Sequence, residues 1–232
     1  MTTRSSAAQV SSRWENPSTV AGFATGTPNA NLLAFAGRVL ARAPGARCLD
    51  VGCGAARNAL PLAESGFRVA ATDLSLPMLD AARTRIAGSP AAERVELVHA
   101  PMAPLPLADE SFDLVVAHGV WNLSRSGDEF RAAVAEAARV AKAGAGLFLF
   151  TFSRNTLPPD ARPVAGESFV FSSWNGEPQC FLTEREILDE LGRVGFVRDR
   201  LGPLTEYNLR PQEARGSGGP PAIYEGTFAR RR

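Results

Sequence analysis

Asp50, Gly52, Gly54 and Asp73 are the residues whose types and spacing carry chemistry in this chain. The run Leu49, Asp50, Val51, Gly52, Cys53, Gly54, Ala55, Ala56, Arg57, Asn58 leads from an apolar stretch into a helical one. Small residues at such a junction let the backbone approach a ligand closely, and the following helix N-terminus turns unpaired N–H groups toward the ligand's negative end. Asp73 closes the next apolar run, near the roughly 20-residue interval at which nucleotide crevices place a carboxylate on ribose hydroxyls. The pair of features points to a crevice for a nucleotide-type ligand.

The elements that must hold these residues alternate short apolar runs with helical segments, the mark of a parallel sheet covered on both faces. The pattern predicts a helix from Pro28, capped by Thr27, to about Ala43, then a strand at 47–51 and a helix at 56–65 ended by Gly66. A strand at 68–72, a helix at 76–86 capped by Ser75, and strands at 95–99 and 112–117 follow. The Ala-rich stretch 128–141 puts Phe130, Val134, Ala137 and Val140 on one helical stripe, broken by Gly144 and Gly146 before a strand at 147–152. Thr183 with Glu186 forms a capping-box pattern for a helix ending at Gly195. Late strands near 196–201 and 222–229, joined by a long Gly/Pro-rich loop, suggest an antiparallel pair. Residues 1–26 read as a loose arm, and 27–232 as one domain whose segment 153–181 is the substrate-specific insertion.

Composition narrows the partners. With 232 residues, 45% hydrophobic and 21% charged, the chain has ordinary globular composition. Lys plus Arg number 25 against 24 acidic residues, so no global field draws the protein to nucleic acid or an anionic membrane. The three cysteines show no ligand spacing, which argues against a metal site and for a reducing cytoplasm. Neither an export signal nor a membrane span is read from the sequence. Nothing in it fixes an oligomeric state.

A nicotinamide dinucleotide would ask for G-x-G-x-x-G, and from Gly52 the final glycine falls on Arg57, so a dehydrogenase is second choice. An acid immediately ahead of the glycines would repel a pyrophosphate. It suits S-adenosylmethionine, which has no phosphate and carries an amine and a carboxylate.

These residues, with Leu105-Pro106-Leu107 ahead of Ser111-Phe112-Asp113, resemble the motifs of class I S-adenosylmethionine-dependent methyltransferases over about 49–150. The loop 54–58 is similar to that of the tellurite-resistance-type and related small-molecule enzymes. The resemblance implies a Rossmann-like α/β fold with a seven-stranded, mostly parallel sheet, an antiparallel C-terminal strand pair and helices on both faces. By it, Asp50 takes the methionyl amine, Gly52 and Gly54 let the backbone pass, Arg57 and Asn58 lie beside the cofactor, and Asp73 takes the ribose hydroxyls. Leu74 and Met78 would sandwich the adenine, Met102 and Ala103 would touch its edge, and His118 and Gly119 would border the methyl group. Two departures stand out: Ala56 replaces the motif's third glycine, a mild change for a small, helix-favouring residue, and Pro101 replaces an Asp that often reads the adenine amine.

The product would be S-adenosylhomocysteine and the acceptor a small molecule, with no nucleic acid or membrane partner. A non-catalytic module of the same fold, or a protein or RNA methyltransferase, are the alternatives. His118 is the candidate general base, with a structural hydrogen bond as the other reading. Trp14, Trp121, Asn122 and Trp174 are candidate substrate residues, although each type is equally at home in a core or a turn. Phe23 and Trp14 would fold over the cofactor or pack the arm onto the core. Cys53 reads as a small apolar filler.

Overall fold

Short, strongly apolar strands lie at the centre of the computed structural model, which describes residues 12–199, 202–216 and 219–231. Five of them run parallel: β1 (Arg47–Val51), β2 (Arg68–Asp73), β3 (Val95–His99), β4 (Phe112–His118) and β5 (Ala141–Phe152). After a small β6/β7 hairpin (Val170–Phe171, Gln179–Cys180), the chain adds β8 (Phe196–Arg198), β9 (Thr205–Tyr207) and β10 (Ile223–Arg230). The main sheet runs β3-β2-β1-β4-β5-β10-β8, with β10 antiparallel to both neighbours. The expected seven-strand path and antiparallel C-terminal pair are therefore present. An eighth strand not foreseen, β9, shares the outer edge of β10 with β8.

Seven helices accompany the sheet among the described residues: α1 (Ser12–Glu15), α2 (Pro17–Ala24), α3 (Ala30–Arg42), α4 (Ala59–Ser65), α5 (Leu76–Ile86), α6 (Gly127–Val140) and α7 (Glu184–Arg193). Apolar residues of α3, α4 and α5 close one face of the sheet, and those of α6 and α7 the other. On the first face Phe35 of α3 lies so close to Gly146 that a side chain there would meet its ring at 2.7 Å. A glycine inside β5 thus sets how near α3 can approach.

Several boundaries move for identifiable reasons. Helix α3 starts two residues after the expected point because Asn29, not Thr27, caps it, accepting from Leu32 N–H at 2.9 Å. Helix α4 starts at Ala59 rather than 56, because Ala56 adopts φ +58°, a left-handed conformation that no α-helix continues through. Ala56 is therefore a turn residue with a backbone cost, not a helix-favouring substitution. Strand β5 reaches back to Ala141, which pairs with Phe112 across a register shift. The capping box forms as read: Glu186 N–H donates to Thr183 Oγ1 at 3.3 Å, and Thr183 N–H donates to the Glu186 carboxylate at 2.8 Å.

Of the stretch read as a loose arm, residues 1–11 lie outside those described, while α1 and α2 are helices packed on α5. Asn16 caps α2, accepting from Ser18 N–H at 3.0 Å, and Pro17 provides its first turn. Arg85 holds the other end, donating to the carbonyls of Ala24 and Gly26 at 2.8 Å each.

Candidate functional site

The C-terminal ends of β1, β2 and β4 meet at one edge, where an open parallel sheet places its ligand crevice. Asp50, next to last in β1, lies there 1% exposed, and its Oδ2 has no hydrogen-bond partner. Burial pushes its carboxyl up to about 7, against the pull of the nearby Arg57 guanidinium and with a smaller push from Asp73. A buried carboxylate oxygen without a donor fits a ligand cation.

Gly52 and Gly54 both have positive φ, +66° and +53°. The close approach at Gly52 is to this chain itself, because the Val120 side chain fills the space a Cβ would need. At Gly54 the neighbours are the Phe23 ring at 3.5 Å and Met78 Sδ at 3.9 Å. Asp73 accepts from Gly54 N–H and Ser75 N–H at 2.8 Å each, so it ties the glycine loop to the start of α5. Its pKa is raised by burial, and these backbone bonds oppose that rise. Met78 is buried beneath the loop, and Leu74 carries the carbonyl facing His99 Nε2 at 3.0 Å. His99, read from sequence as a strand residue, ends β3 and pairs in register with Asp73 at the crevice edge. That both residues end adjacent strands was the signal for it.

His118 ends β4 with its ring stacked on Phe150, centroids 4.3 Å apart. Arg57 Nη2 lies 3.2 Å from its Nδ1, and Asn29 Nδ2 lies 3.3 Å from its Nε2. Desolvation, with Arg57 adding to it, drives its pKa down to about 4, so the ring is neutral at physiological pH. Gly119 follows with φ +73°, its N–H on the Phe150 carbonyl at 2.8 Å.

The remaining expected site residues are spread more widely. Asn58 Oδ1 accepts from Asn29 N–H at 3.1 Å, so this side chain anchors the start of α3 instead of facing the crevice loop's ligand side. Trp121 is fully buried against Phe130 in the core beneath α6. Its neighbour Asn122 is equally buried, with Oδ1 unpartnered and 4.0 Å from where a Gly119 side chain would begin. Trp174 packs on the Leu157, Phe171 and Phe181 cluster of the 153–181 segment, whereas Trp14 lies on α5, where its carbonyl accepts from Ser75 Oγ. Met102 packs toward Ser124, and Ala103 is part-buried in the loop after β3. Cys53 is buried, its thiol pushed well up by desolvation, which suits a filler. Sequence reasoning missed Asn29 and Glu225, which lie far apart in the chain and meet beside His118.

Comparison with known proteins sets this geometry beside methyltransferases. Residues 49–149 match the family model described as a methyltransferase domain. Over 122 residues the chain is 38% identical to the demethylmenaquinone methyltransferase of Clavibacter sepedonicus, covering 52% of this chain and 47% of that one. The enzyme of the same name from Corynebacterium urealyticum is also 38% identical, covering 52% and 48%. The chain thus spans about half the length of these curated relatives. Among solved structures, the Burkholderia thailandensis 1,6-didemethyltoxoflavin-N1-methyltransferase superposes with a TM-score of 0.62 at 19% identity, covering 88% of this chain and 79% of that one. An S-adenosylmethionine-dependent methyltransferase from Mesorhizobium loti gives 0.64 at 19%, covering 87% and 99%. These likenesses show the fold, and the family match over residues 49–149 is to a methyltransferase domain.

Proposed function

We propose that this chain binds S-adenosylmethionine and transfers its methyl group to a small molecule. The observation that carries the reading is the unpartnered, buried Asp50 carboxylate lying in the field of Arg57 at the glycine loop. An acid and a base side by side match the ammonium and carboxylate of an amino acid, and Asp73 at the next strand end matches ribose hydroxyls. Leu74, Met78, Met102 and Ala103 are the proposed adenine neighbours.

When bound, S-adenosylmethionine supplies a methyl group made electrophilic by its sulfonium. The protein's task is then to align a nucleophile at about 3–3.5 Å and exclude water. Gly119 and Asn122 are the proposed border of that space, and the unpartnered Asn122 Oδ1 supports a role as hydrogen-bond acceptor for an O–H or N–H of the substrate. The curated relatives act, by their names, on demethylmenaquinone, and a small-molecule acceptor is the reading they favour here. A formal net charge of +1 also favours it over nucleic acid. Three buried free cysteines suit a cytoplasmic setting. No described helix is long and apolar enough to cross a membrane.

Calorimetric titration with S-adenosylmethionine and S-adenosylhomocysteine tests the binding, and a screen of acceptors with labelled methyl groups tests the transfer. Binding that is weakened in Asp73→Asn, with transfer to a small acceptor, is the expected result. Failure of both ligands to bind the folded protein would sink the reading, and binding without transfer to any acceptor would leave the non-catalytic module.

A further inference from the structure

His118, Phe150 and Glu225 lie in one row across β4, β5 and β10, because His118 pairs with Phe150 and Phe150 with Glu225. The start of α3 covers that row. Asn29 Nδ2 donates to Glu225 Oε2 and Asn31 Nδ2 to Glu225 Oε1, each at 2.6 Å. Asn29 cannot be turned around, since its Oδ1 is occupied by Leu32 N–H at 2.9 Å and its Nδ2 by the carboxylate. A fixed donor therefore faces His118 Nε2, at 3.3 Å. The group facing Nδ1 is Arg57 Nη2 at 3.2 Å, and a guanidinium is also only a donor.

A neutral imidazole has one N–H and one lone pair, so it cannot accept at both nitrogens. One contact must set an N–H against a donor. Asn29 is held by two hydrogen bonds, and it keeps the lone pair of Nε2. The proton then sits on Nδ1, pointing toward Arg57. Apart from His118's own backbone carbonyl, which also bonds the ring, the two groups that converge here are donors, and they make a place for an anion.

We propose that Glu225, acting through Asn29, fixes His118 as the Nδ1–H tautomer, so that His118 and Arg57 together donate to the carboxylate of the bound cofactor. This rests on the methyltransferase reading above and changes the role of His118 within it. The ring is a ligand-binding donor rather than a general base, because its lone pair is committed to Asn29. Glu225 and Asn29 are positioning residues.

The test exchanges the polarity of the link while keeping its shape and charge. In the double variant Asn29→Asp, Glu225→Gln, the carboxylate at 29 still caps α3 by accepting Leu32 N–H, and it now faces His118 Nε2 as an acceptor. With two histidines in the chain, ring 15N correlations are assigned by comparison with His99→Gln. The wild type is expected to show neutral His118 protonated on Nδ1, and the double variant to show it protonated on Nε2, with unchanged thermal unfolding. S-adenosylhomocysteine should shift the wild-type His118 signals, whereas methylthioadenosine, which lacks the amino-acid end, should not. The affinity for S-adenosylhomocysteine should fall roughly tenfold in the variant, the loss of about one charge-assisted bond. An Nε2–H ring in the wild type, an unmoved tautomer in the double variant, or S-adenosylhomocysteine binding that leaves His118 undisturbed would each overturn the proposal. The tautomers are read in the free protein, so they stand or fall apart from the methyltransferase reading, which the titration itself decides.

Discussion

The Phe23 ring edge lies 3.5 Å from the point where a side chain on Gly54 would begin. Phe23 belongs to α2, and its partner Trp14 in α1 packs edge-on against it with centroids 5.5 Å apart. Arg85 and Ser75, both from α5 and its cap, hold the backbone of this arm. The arm therefore covers the glycine loop at the side proposed for the adenosine. Phe23→Ala is expected to speed dissociation of S-adenosylhomocysteine about three- to tenfold, on the scale of one aromatic contact of ~1 kcal/mol. Stopped-flow displacement measures it, and an unchanged off-rate would show that the arm packs on the core without covering ligand.

Ala56 offers a test of backbone strain. An L-residue in the left-handed region costs about 1–2 kcal/mol relative to glycine, but the Ala56 methyl is fully buried. Removing it forfeits packing and raises unfolded-chain entropy. Ala56→Gly should then lie within ~1 kcal/mol of wild type in urea unfolding. Ala56→Val adds a β-branched side chain at φ +58° and should cost several kcal/mol. If the two variants unfold at the same urea concentration, the turn at 56 is not strained.

Asp50 makes both stability and ligand affinity depend on pH, with opposite signs. Its folded-state pKa, about 7, lies above the unfolded value of ~3.9, so between those values the folded protein binds more protons than the unfolded chain. Its contribution to stability accordingly falls as pH rises through that window and levels off above it. A ligand ammonium favours the ionised carboxylate, so binding below pH 7 must expel a proton. The affinity for S-adenosylhomocysteine is expected to climb by up to about tenfold per pH unit toward 7 and then flatten. Titration at pH 6 in buffers of different ionisation enthalpy should detect the released proton. Asp50→Asn should abolish that release, weaken binding, and leave the free protein at least as stable at pH 8. A proton count of zero in the wild type would mean that Asp50 is already ionised.

Much of this was legible along the chain. The parallel strands and their covering helices follow from alternating apolar runs and helical segments, and the Thr183/Glu186 box marked its helix because both partners lie three residues apart. The loop from Asp50 to Gly54 and the strand-ending Asp73 were equally local. What sequence could not show was set by contacts across the sheet: Val120 against Gly52, Phe35 against Gly146, and Asn29 bridging His118 to Glu225. The turn at Ala56 escaped for a related reason. Alanine's helical preference is a weak prior, and the loop's tertiary path overrode it.

Arg57 and Asn58 are sequence neighbours that the structure sends in different directions. Arg57 reaches His118 at the crevice, whereas Asn58 holds Asn29 N–H at the start of α3. Substituting each should therefore separate binding from stability. Arg57→Ala is expected to weaken S-adenosylhomocysteine binding roughly 10- to 100-fold, the value of one or two charge-assisted hydrogen bonds, with little change in urea unfolding. Asn58→Ala should instead lower stability by about 1–2 kcal/mol, because it strands a part-buried N–H, and Asn58→Asp should recover most of that by restoring an acceptor. Calorimetric titration and urea unfolding on the same three variants decide the matter. Equal losses of affinity in Arg57→Ala and Asn58→Ala would mean that Asn58 contributes to the ligand site after all, through the anchorage it gives Asn29 beside His118.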